Sequence, residues 1–488
     1  MSNIRKIIFA SSAGTVIEWY DFYIFGSLTP ILSTQFFPKE NPTAAFLATL
    51  AAFGVGFVVR PFGALVFGRL GDLVGRKYTF LLTLLLMGGS TFAIGLIPGY
   101  ASIGVLAPVL VFLLRALQGL ALGGEYGGAT TYVAEHAPEG KKGFFTSFIQ
   151  TTATIGLFVS IGVILLCKSF MDKQAFEDWG WRIPFMVSVV LVAGSFLLRR
   201  RMEESPEFKS LKEQGKTSKN PLKESFTKWS NLKWVLIALF GATAGQGVVW
   251  YTGQFYAMTF CTKTLNIDAT QFQQMLLIVL LIGTPLFIFF GWLSDRVGRK
   301  WIMIGGIALG AMTYLPIYKA MAEQADYKRW TGDAGDPKIE VTGVNPAGDS
   351  TGVCTISYED GGVVTTDWTQ AKNKEWMMSG EKIKLPSHNL FIIGLLIFVQ
   401  LVFVTMAYGP IAAFLVELFP ANIRYTSMSL PYHIGNGVFG GLTPLIAESL
   451  VLKTGNILAG VYYPVVIATL TVIVGVLAIP GKKSNDKK

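Results

Sequence analysis

The chain has 488 residues, of which 51% are hydrophobic and 15% charged, and its formal net charge is +10. A soluble domain normally has about a quarter charged residues, whereas a run of about 20 apolar residues is the length that crosses a ~30 Å hydrocarbon core as a helix. The composition therefore excludes an ordinary soluble protein, and its long apolar runs predict an integral membrane protein.

Twelve apolar stretches are predicted to span the membrane, six on each side of a polar connector. The first stretch lacks a small-residue cleavage site and contains Glu18 and Asp21, so we expect it to remain as a helix. The predicted spans are residues 7–29, 44–68, 78–98, 103–134, 144–167, 181–199, 233–260, 271–293, 301–320, 389–418, 425–451 and 456–479. The predicted domains are an N-terminal bundle (1–200), a cytoplasmic linker (201–232), a C-terminal bundle (233–479) and a tail (480–488).

A decapeptide occurs once in each half, at the same place relative to the predicted spans. Gly68–Lys77 reads GRLGDLVGRK and Gly291–Lys300 reads GWLSDRVGRK, with seven of ten positions identical. Two copies at matching places indicate that the halves share one architecture. The predicted fold class is an all-α membrane protein with twelve transmembrane helices in two pseudo-twofold-related six-helix bundles. Bundles of this type typically move a solute across a bilayer.

The positive charge is concentrated on one side of this map. Arg5, Lys6, the repeated Arg-Lys pairs and Arg199-Arg-Arg201 fall on the side that also holds both termini. An excess of Lys and Arg marks the cytoplasmic side, so we expect cytoplasmic N- and C-termini and a plasma-membrane location, the inner membrane of a bacterium. Because topology accounts for the basic charge, no nucleic-acid partner is expected.

Residues 322–388 form a polar block between the ninth and tenth spans, on the outer side of the map, with seven basic and eleven acidic residues. Val353–Tyr358 and Val363–Trp368 flank the sequence Glu-Asp-Gly-Gly, which predicts a β-hairpin, and Asn345-Pro-Ala-Gly348 is a second predicted turn. Unstructured loops of this length are uncommon, so we expect a small β-rich extracytoplasmic insertion. It also holds Cys354, for which a disulfide with Cys261 and a free thiol are both left open by the sequence.

Several motifs carry a resemblance to a known family. These are Glu18-Trp-Tyr-Asp-Phe-Tyr23, Arg60-Pro-Phe-Gly63, Arg115-Ala-Leu-Gln-Gly-Leu-Ala-Leu-Gly-Gly-Glu-Tyr-Gly-Gly128, Ala134-Glu-His-Ala-Pro138, Glu417-Leu-Phe-Pro420 and Arg424. With the repeat and the six-plus-six pattern, the chain resembles the major facilitator superfamily, and within it the metabolite:H+ symporter family. The resemblance implies proton-coupled import of a small carboxylate, such as a di- or tricarboxylate, or of a zwitterion, such as proline or betaine. The 322–388 insertion departs from the family pattern.

Five ionisable side chains lie inside predicted spans, where a buried charge requires a functional or structural reason. At ~1.5 Å per residue, Asp21, Arg60 and Glu125 lie about 15–20 Å from the cytoplasmic ends of their spans. Arg115 is also near mid-depth, and Glu18 shares a helix face with Asp21. We expect these five groups to converge on a central binding site between the bundles.

A proton-coupling role is expected for Asp21 and Arg115, with Glu18 and Glu125 nearby. Burial penalises a charged carboxylate and a neighbouring arginine stabilises it, so such a group can exchange a proton as its surroundings change. The resemblance implies that Asp21 and Arg115 form this switch; a static ion pair joining two helices is the alternative. The proton is the expected coupling ion, and no cofactor or metal is expected.

Substrate binding is assigned first to Arg60, whose guanidinium can hold a carboxylate through two parallel hydrogen bonds. The alternative is an ion pair of Arg60 with Glu18 or Glu125. Polar residues in membrane helices often serve as interhelical hydrogen-bond partners instead, and a structural role is favoured for His433. The remaining candidates for substrate contact are Arg115, Tyr126, Gln150, Trp250, Tyr251, Gln254, Tyr408 and Asn436.

The repeated decapeptides are expected to act as a gate at the cytoplasmic ends of the helices. Their aspartates, Asp72 and Asp295, can cap the helix that follows each of them. Their arginines can pair with acidic residues at the inner ends of spans four and ten, and the resemblance implies that such pairs hold the inner gate closed. The other candidates for gating are Arg76, Arg299, Glu135, Glu417 and Arg424.

The sequence thus predicts a secondary transporter that works by alternating access. It contains no P-loop and no metal-ligand cluster, so we do not expect an enzyme. The expected partners are the lipid bilayer and a small carboxylate or zwitterion, and a monomer is expected. Two alternatives stay open: a sensor on a transporter scaffold that binds ligand without net transport, and a transporter that exports or uses another coupling ion.

Overall fold

The protein is mostly helical. The computed structural model describes residues 2–38, 40–200, 202–330, 332–344, 350–370 and 376–481. Within these ranges, ten helices are long and apolar enough to cross a membrane: Arg76–Leu96, Leu106–His136, Lys142–Phe170, Arg182–Arg200, Trp229–Thr264, Ala269–Val297, Arg299–Ala325, Ser387–Leu418, Arg424–Thr454 and Ala459–Ala478. Their order follows the predicted spans from the third to the twelfth.

The N-terminal region forms two further helical stretches that are less apolar or shorter. Ser2–Phe36 has 35 residues and carries Glu18 and Asp21 at its centre, which lowers its hydropathy. The predicted span 44–68 is divided into Pro42–Val58 and Arg60–Leu73, because the chain turns at Val59 before Pro61. Proline is favoured at the start of a helix, where its missing N–H leaves no hydrogen bond unmade. Arg60 thus lies at the start of a helix, and Glu18 and Asp21 lie within a continuous helix of lower hydropathy.

Close helix packing fixes the position of Arg60. The helix Leu106–His136 lies against Pro42–Val58 and Arg60–Leu73, and a Cβ atom added at Gly123 would lie 2.2 Å from the backbone oxygen of Arg60. No side chain larger than hydrogen fits there, so the glycine row of this helix lets the two backbones touch. Arg60 therefore begins its helix directly beside the helix that carries Glu125.

The connector between the halves contains two short helices. Pro206–Glu213 is capped by the Ser205 hydroxyl, which accepts a hydrogen bond from the Phe208 N–H at 3.3 Å. It ends just before Gly215, which has a φ of +64°. A second helix follows at Pro221–Phe226.

A four-stranded antiparallel sheet lies between Arg299–Ala325 and Ser387–Leu418. Its strands are β1 (Lys338–Val344), β2 (Ser350–Ser357), β3 (Val363–Gln370) and β4 (Trp376–Lys384), paired in sequence order. The predicted hairpin is confirmed, since β2 and β3 pair with Ser357 opposite Val363. The predicted turn at Asn345–Gly348 lies outside the described residues. All three cysteines are free thiols.

The sheet is attached to the helices through β4 and the residues that follow it. The Ile383 N–H donates to the Asn266 carbonyl at 2.8 Å, and the Asp268 N–H donates to the Ile383 carbonyl at 2.8 Å. The Gln271 side chain exchanges two hydrogen bonds of 2.8 Å with the Leu385 backbone. The sheet is therefore fixed to the turn before the helix Ala269–Val297.

Replacing residues 325–384 with a short glycine–serine linker should leave the helices folded. The deletion removes the two hydrogen bonds of Ile383, each worth about 0.5–1.5 kcal/mol, and keeps Leu385 beside Gln271. We expect a melting temperature lowered by a few degrees and unchanged helical circular dichroism per residue of helix. Loss of the helical signal would contradict this expectation and make the sheet part of the folding core.

Candidate functional site: a central cavity and an inter-half charge network

A cavity lies at the centre of the molecule, between the N-terminal and C-terminal halves. It is about 30 Å³, much smaller than the ~300–1,000 Å³ of a usual small-molecule site, so the halves are close together in this conformation. Fifteen residues line it: Thr15, Glu18, Trp19, Arg60, Tyr126, Ile149, Gln150, Thr152, Ala153, Trp250, Tyr251, Tyr408, Tyr432, His433 and Asn436. Both halves contribute to this lining.

Two charged side chains, Glu18 and Arg60, line the cavity. The Arg60 guanidinium lies 4.5 Å from the Phe57 ring centroid, and its Nε atom is buried without a hydrogen-bond partner. Neither Glu18 nor Arg60 takes part in any ion pair among the described residues. The expected alternative, in which Arg60 pairs with Glu18 or Glu125, is therefore not what the structure contains.

Asp21 and Arg115 lie beside the cavity and do not line it. Asp21 accepts a hydrogen bond from the Thr91 hydroxyl at 2.6 Å, and that hydroxyl accepts one from Gln118 at 2.5 Å. Gln118 in turn accepts a hydrogen bond from Arg115 at 2.8 Å, and the Arg115 guanidinium lies 4.4 Å from the Phe25 ring centroid. The ion pairs of the described chain do not include Asp21 with Arg115, so this pair is linked through two polar side chains.

Glu125 is paired with an arginine that sequence reasoning placed at the membrane surface. Arg199 donates to Glu125 at 2.6 Å, and both side chains are 1% exposed; the Thr83 hydroxyl donates to the same carboxylate at 2.9 Å. The run Arg199-Arg200-Arg201 reads as a surface anchor, but Arg199 turns inward and stacks 3.4 Å from the Phe80 ring centroid. The signal that was missed is its position at the last apolar turn of a predicted span.

Aromatic and amide side chains surround the cavity and contact one another across the two halves. Tyr126 stacks on Tyr432 with a centroid distance of 3.5 Å and an interplanar angle of 3°. Gln150 donates to the Tyr126 hydroxyl at 2.9 Å, and the Tyr408 and Tyr432 hydroxyls share a hydrogen bond. Many of the polar candidates therefore already have partners when the cavity is narrow.

The structure places most of the predicted contact residues at the cavity, with two corrections. Arg115 is held beside Gln118, away from the lining. Gln254 is not in the lining either, because it lies in the π-helical turn Thr252–Tyr256, whose wider spacing changes the direction of the residues after Tyr251. The lining residues that sequence reasoning did not select as contacts or for proton coupling are Thr15, Trp19, Ile149, Thr152, Ala153, Tyr432 and His433, for which a structural role is favoured.

The aspartates of the repeated decapeptides cap helices of the opposite half. Asp72 accepts hydrogen bonds from the N–H groups of Tyr425 at 3.4 Å and Thr426 at 2.9 Å. Asp295 accepts two of 2.8 Å from Gly143 and Phe144. The prediction that each aspartate caps the helix following it in the chain is therefore wrong. A carboxylate satisfies the free N–H groups at whichever helix start packs against it, and here that start belongs to the other half.

The arginines of the decapeptides complete a charge network between the halves. Arg76 lies 3.0 Å from Asp72 and 3.6 Å from Glu135, and Arg424 donates to Glu135 at 2.8 Å. These contacts are almost fully buried, so they are screened little by solvent.

In the second copy, the corresponding arginine also joins two acidic residues. Arg299 lies 3.0 Å from Asp295 and donates to both Glu417 oxygens at 2.5 and 2.6 Å. The seven residues that the sequence assigns to gating thus lie in two clusters, one of Asp72, Arg76, Glu135 and Arg424 and one of Asp295, Arg299 and Glu417.

The connector also belongs to this network and is more than a tether. Glu207, on the short helix Pro206–Glu213, contacts Arg424 and lies 3.7 Å from Lys142. Glu204 accepts hydrogen bonds from the N–H groups of Arg76 at 3.1 Å and Lys77 at 3.2 Å. Carboxylates of the connector therefore bind charges and helix starts in both halves.

Comparisons with a family model and with a solved structure both match the chain to transporters. Residues 6–233 match the family model described as sugar (and other) transporters. The proton:xylose symporter XylE, a major facilitator superfamily protein of known structure, superimposes with a TM-score of 0.70 over 98% of this chain and 96% of XylE, at 15% identity. That likeness shows a common fold.

Three relatives match the chain at higher sequence identity. The shikimate transporter of Escherichia coli is 35% identical over 67% of this chain and 74% of that transporter. A putative metabolite transport protein of Haemophilus influenzae is 30% identical over 99% of this chain and 98% of its own length. The proline/betaine transporter of Salmonella typhimurium is 30% identical over 97% of this chain and 83% of that protein.

The chain belongs to the major facilitator superfamily. It is therefore an integral membrane transporter and not an enzyme, and its relatives carry small molecules.

Replacing Arg199 with Met should destabilise the transporter strongly. The change leaves the Glu125 carboxylate buried without its 2.6 Å partner, and breaking such a pair typically lowers the free energy of unfolding by about 3–5 kcal/mol. The double variant Arg199→Met/Glu125→Gln should recover part of this loss, since no unpaired charge remains. Thermal unfolding in detergent measures both, with Arg200→Met at the exposed neighbouring position as the control. Equal melting temperatures for Arg199→Met and Arg200→Met would contradict the buried pair.

Proposed function

We propose that the protein imports a small carboxylate-containing metabolite together with H+, by alternating access of the central cavity to the two sides of the membrane. In this proposal, twelve helices in two six-helix bundles span the bacterial inner membrane. Both termini and the charge network face the cytoplasm, and the four-stranded sheet lies outside. The basic residues of the network and of the connector favour this orientation. The cargo is an organic acid or a zwitterion.

The observation that carries the choice of cargo is the state of Arg60. Five other arginines, Arg76, Arg199, Arg299, Arg329 and Arg424, pair with carboxylates within 4 Å. Arg60 faces the cavity, and among the described residues no carboxylate pairs with it. The Nε atom of this guanidinium is buried without a hydrogen-bond partner, and a substrate carboxylate would supply one. Shikimate, proline and betaine, the cargoes for which two of the relatives are named, each have one carboxylate.

Proton coupling is assigned to Asp21. One of its oxygens is bound by Thr91, and the other is buried with no hydrogen-bond partner in the described structure. A carboxyl group in this setting can hold a proton on the unbound oxygen. Hydrogen bonds link Asp21 to Arg115 through the Thr91 hydroxyl and the Gln118 amide. Because both of these groups change hydrogen-bond partners easily, the position of Arg115 depends on whether Asp21 holds that proton. H+ is then the only coupling ion, and no cofactor takes part.

Cargo release follows from the way the two halves are joined. The cavity is narrow here and the charge network is made, so the passage is closed at the network end. Parting of Asp72 from the Arg424–His433 helix and of Asp295 from the Lys142–Gln150 helix would open that end. The same movement separates Arg424 from Glu135, so the proposed inner gate opens only when both decapeptides release their helices.

Replacing Asp21 with Asn should abolish accumulation of substrate driven by a pH gradient and should spare exchange of labelled for unlabelled substrate. Asparagine keeps the hydrogen bond to Thr91 and cannot exchange a proton. Uptake and counterflow in proteoliposomes measure the two activities, with Asp178→Asn, on an exposed turn, as the control. Equal loss of both activities in Asp21→Asn would favour a structural role. Uptake that persists after the pH gradient and membrane potential are collapsed would exclude proton symport.

Replacing Arg60 with Ala should abolish stabilisation by substrate. In a thermal-shift series of the purified wild type against small carboxylates, amino acids and betaines, the cargo class should raise the melting temperature as the logarithm of its concentration. The shift should disappear in Arg60→Ala and remain in Arg69→Ala, an exposed arginine of the same helix. A shift retained in Arg60→Ala would place the carboxylate elsewhere, and no shift in wild type would remove the basis for a carboxylate cargo.

A further inference from the structure

A tyrosine of the second half is inserted into the first half beside the charge network. Tyr425 follows Arg424 at the start of its helix and is 0% exposed. Its hydroxyl donates to the Gly124 carbonyl at 2.5 Å, and its N–H donates to Asp72 at 3.4 Å. The ring therefore crosses the boundary between the halves at the end that holds the charge network.

Glycines of the first half form the space that this ring occupies. A Cβ atom added at Gly71 would lie 2.1 Å from Tyr425 Cδ1, and one added at Gly127 would lie 2.7 Å from Tyr425 Cε2. At Gly128, the added atom would lie 2.7 Å from the Tyr425 hydroxyl oxygen. Carbon atoms in contact are normally about 3.5–4.0 Å apart, so a side chain at any of these positions would displace the ring. Gly71, Gly124, Gly127 and Gly128 are named here the glycine socket.

The contact made by the second decapeptide is built differently. The aspartates of the two decapeptides cap equivalent positions, which are Tyr425 in one contact and Gly143 in the other. A Cβ atom added at Gly143 would lie 2.5 Å from the Gly291 carbonyl oxygen, so the two backbones touch there directly. One contact between the halves thus holds a large ring in a socket, and the other is a contact of backbones.

We infer that Tyr425 is the plug of the inner gate, which the glycine socket receives only while the halves are closed. The inference rests on the proposed alternating access and adds a gating residue outside the charge network. A buried aromatic side chain removes about 150–250 Å² from solvent, and here that burial exists only while both halves meet. It therefore favours closure without any charge. At Gly143, packed helices can slide past each other without withdrawing a side chain.

The socket gives the glycine row of the helix Leu106–His136 a second role. Gly123 lets this helix touch the backbone of Arg60 inside the first half, whereas Gly127 and Gly128 contact a residue of the other half. Small residues in membrane helices commonly allow close helix packing. The same row therefore packs helices at one level and receives the plug at another.

The test measures how far the network end opens in the purified full-length protein without cargo. Nitroxide labels at Val74→Cys and Val297→Cys, exposed and equivalent positions of the two decapeptides, report the distance between the halves by double electron–electron resonance. The three native cysteines are replaced by alanine. Tyr425→Ala should raise the ratio of open to closed molecules by about tenfold or more, because removal of a buried aromatic ring is costly. Tyr425→Phe keeps the ring and should restore most of the closed population.

Gly71→Ala fills the socket from the first half and leaves Tyr425 in the chain. The three atoms nearest to its added Cβ atom all belong to Tyr425. We expect the same opening, and a weakened helix would not explain it, because alanine favours a helix more than glycine does. Gly89→Ala is the matched control, since a Cβ atom added there meets nothing within 4 Å in the described structure. In a Tyr425→Ala background, Gly71→Ala should cause no further opening.

Equal distance distributions for Gly71→Ala, Tyr425→Ala and Gly89→Ala would overturn the plug. An opening by Gly71→Ala that persists in the Tyr425→Ala background would also overturn it, because the effect would then not pass through the ring. The comparison of Gly71→Ala with Gly89→Ala decides the matter even where Tyr425→Ala fails to fold. Since the labels are read without cargo or a pH gradient, a wild type without proton-driven uptake would overturn the proposed function and leave the plug standing.

Discussion

Burial of charge in an apolar helical protein is the constraint on which this structure depends. Each buried charge needs a counter-charge or several hydrogen bonds, because the surroundings do not solvate it. Glu125 meets the requirement through Arg199, and Glu135 meets it through Arg76 and Arg424. Glu18 and Arg60 do not meet it in this way, although they face the same cavity. The two charged side chains that line the candidate site thus have no ion pair within the described residues.

In the proposed alternating-access cycle, the narrow cavity and the closed network describe one state. Tyr126 on Tyr432 and Trp19 against Trp250 bring the halves into contact at the centre, while the decapeptides join them at one end. A cargo cannot enter without separating these rings. In this cycle, cargo replaces the contacts that the two halves make with each other across the empty cavity. The cavity therefore closes through many of the same residues with cargo and without it.

Much of the fold and of the site is present in the sequence. Hydropathy predicts the helices, and the repeated decapeptide predicts their division into two halves. Because a charge inside a membrane span requires a functional or structural reason, the sequence also selects Glu18 and Arg60. What the sequence does not contain is long-range packing. Arg199 reads as part of a surface run, since its partner Glu125 is 74 residues away in the chain.

Two further differences between the predicted and the observed site have structural causes, one within a helix and one between the halves. A helical wheel does not anticipate the π-helical turn at Thr252–Tyr256 that removes Gln254 from the lining. The capping partners of Asp72 and Asp295 depend on which helix start the other half presents. Short-range rules correctly identified these aspartates as capping residues, whose carboxylates accept hydrogen bonds from a helix start, and failed only in the choice of helix.

The exchange of caps between the two decapeptides has a consequence for how such a chain is assembled. Asp72 binds the start of a helix in the second half, and Asp295 binds the start of a helix in the first. In a symmetric dimer, one patch on each subunit binds an equivalent patch on its partner. The contact here has that isologous form within a single polypeptide. The halves therefore relate to each other as two subunits whose association is made permanent by the connector, and residues 202–232 keep two partners at a high local concentration.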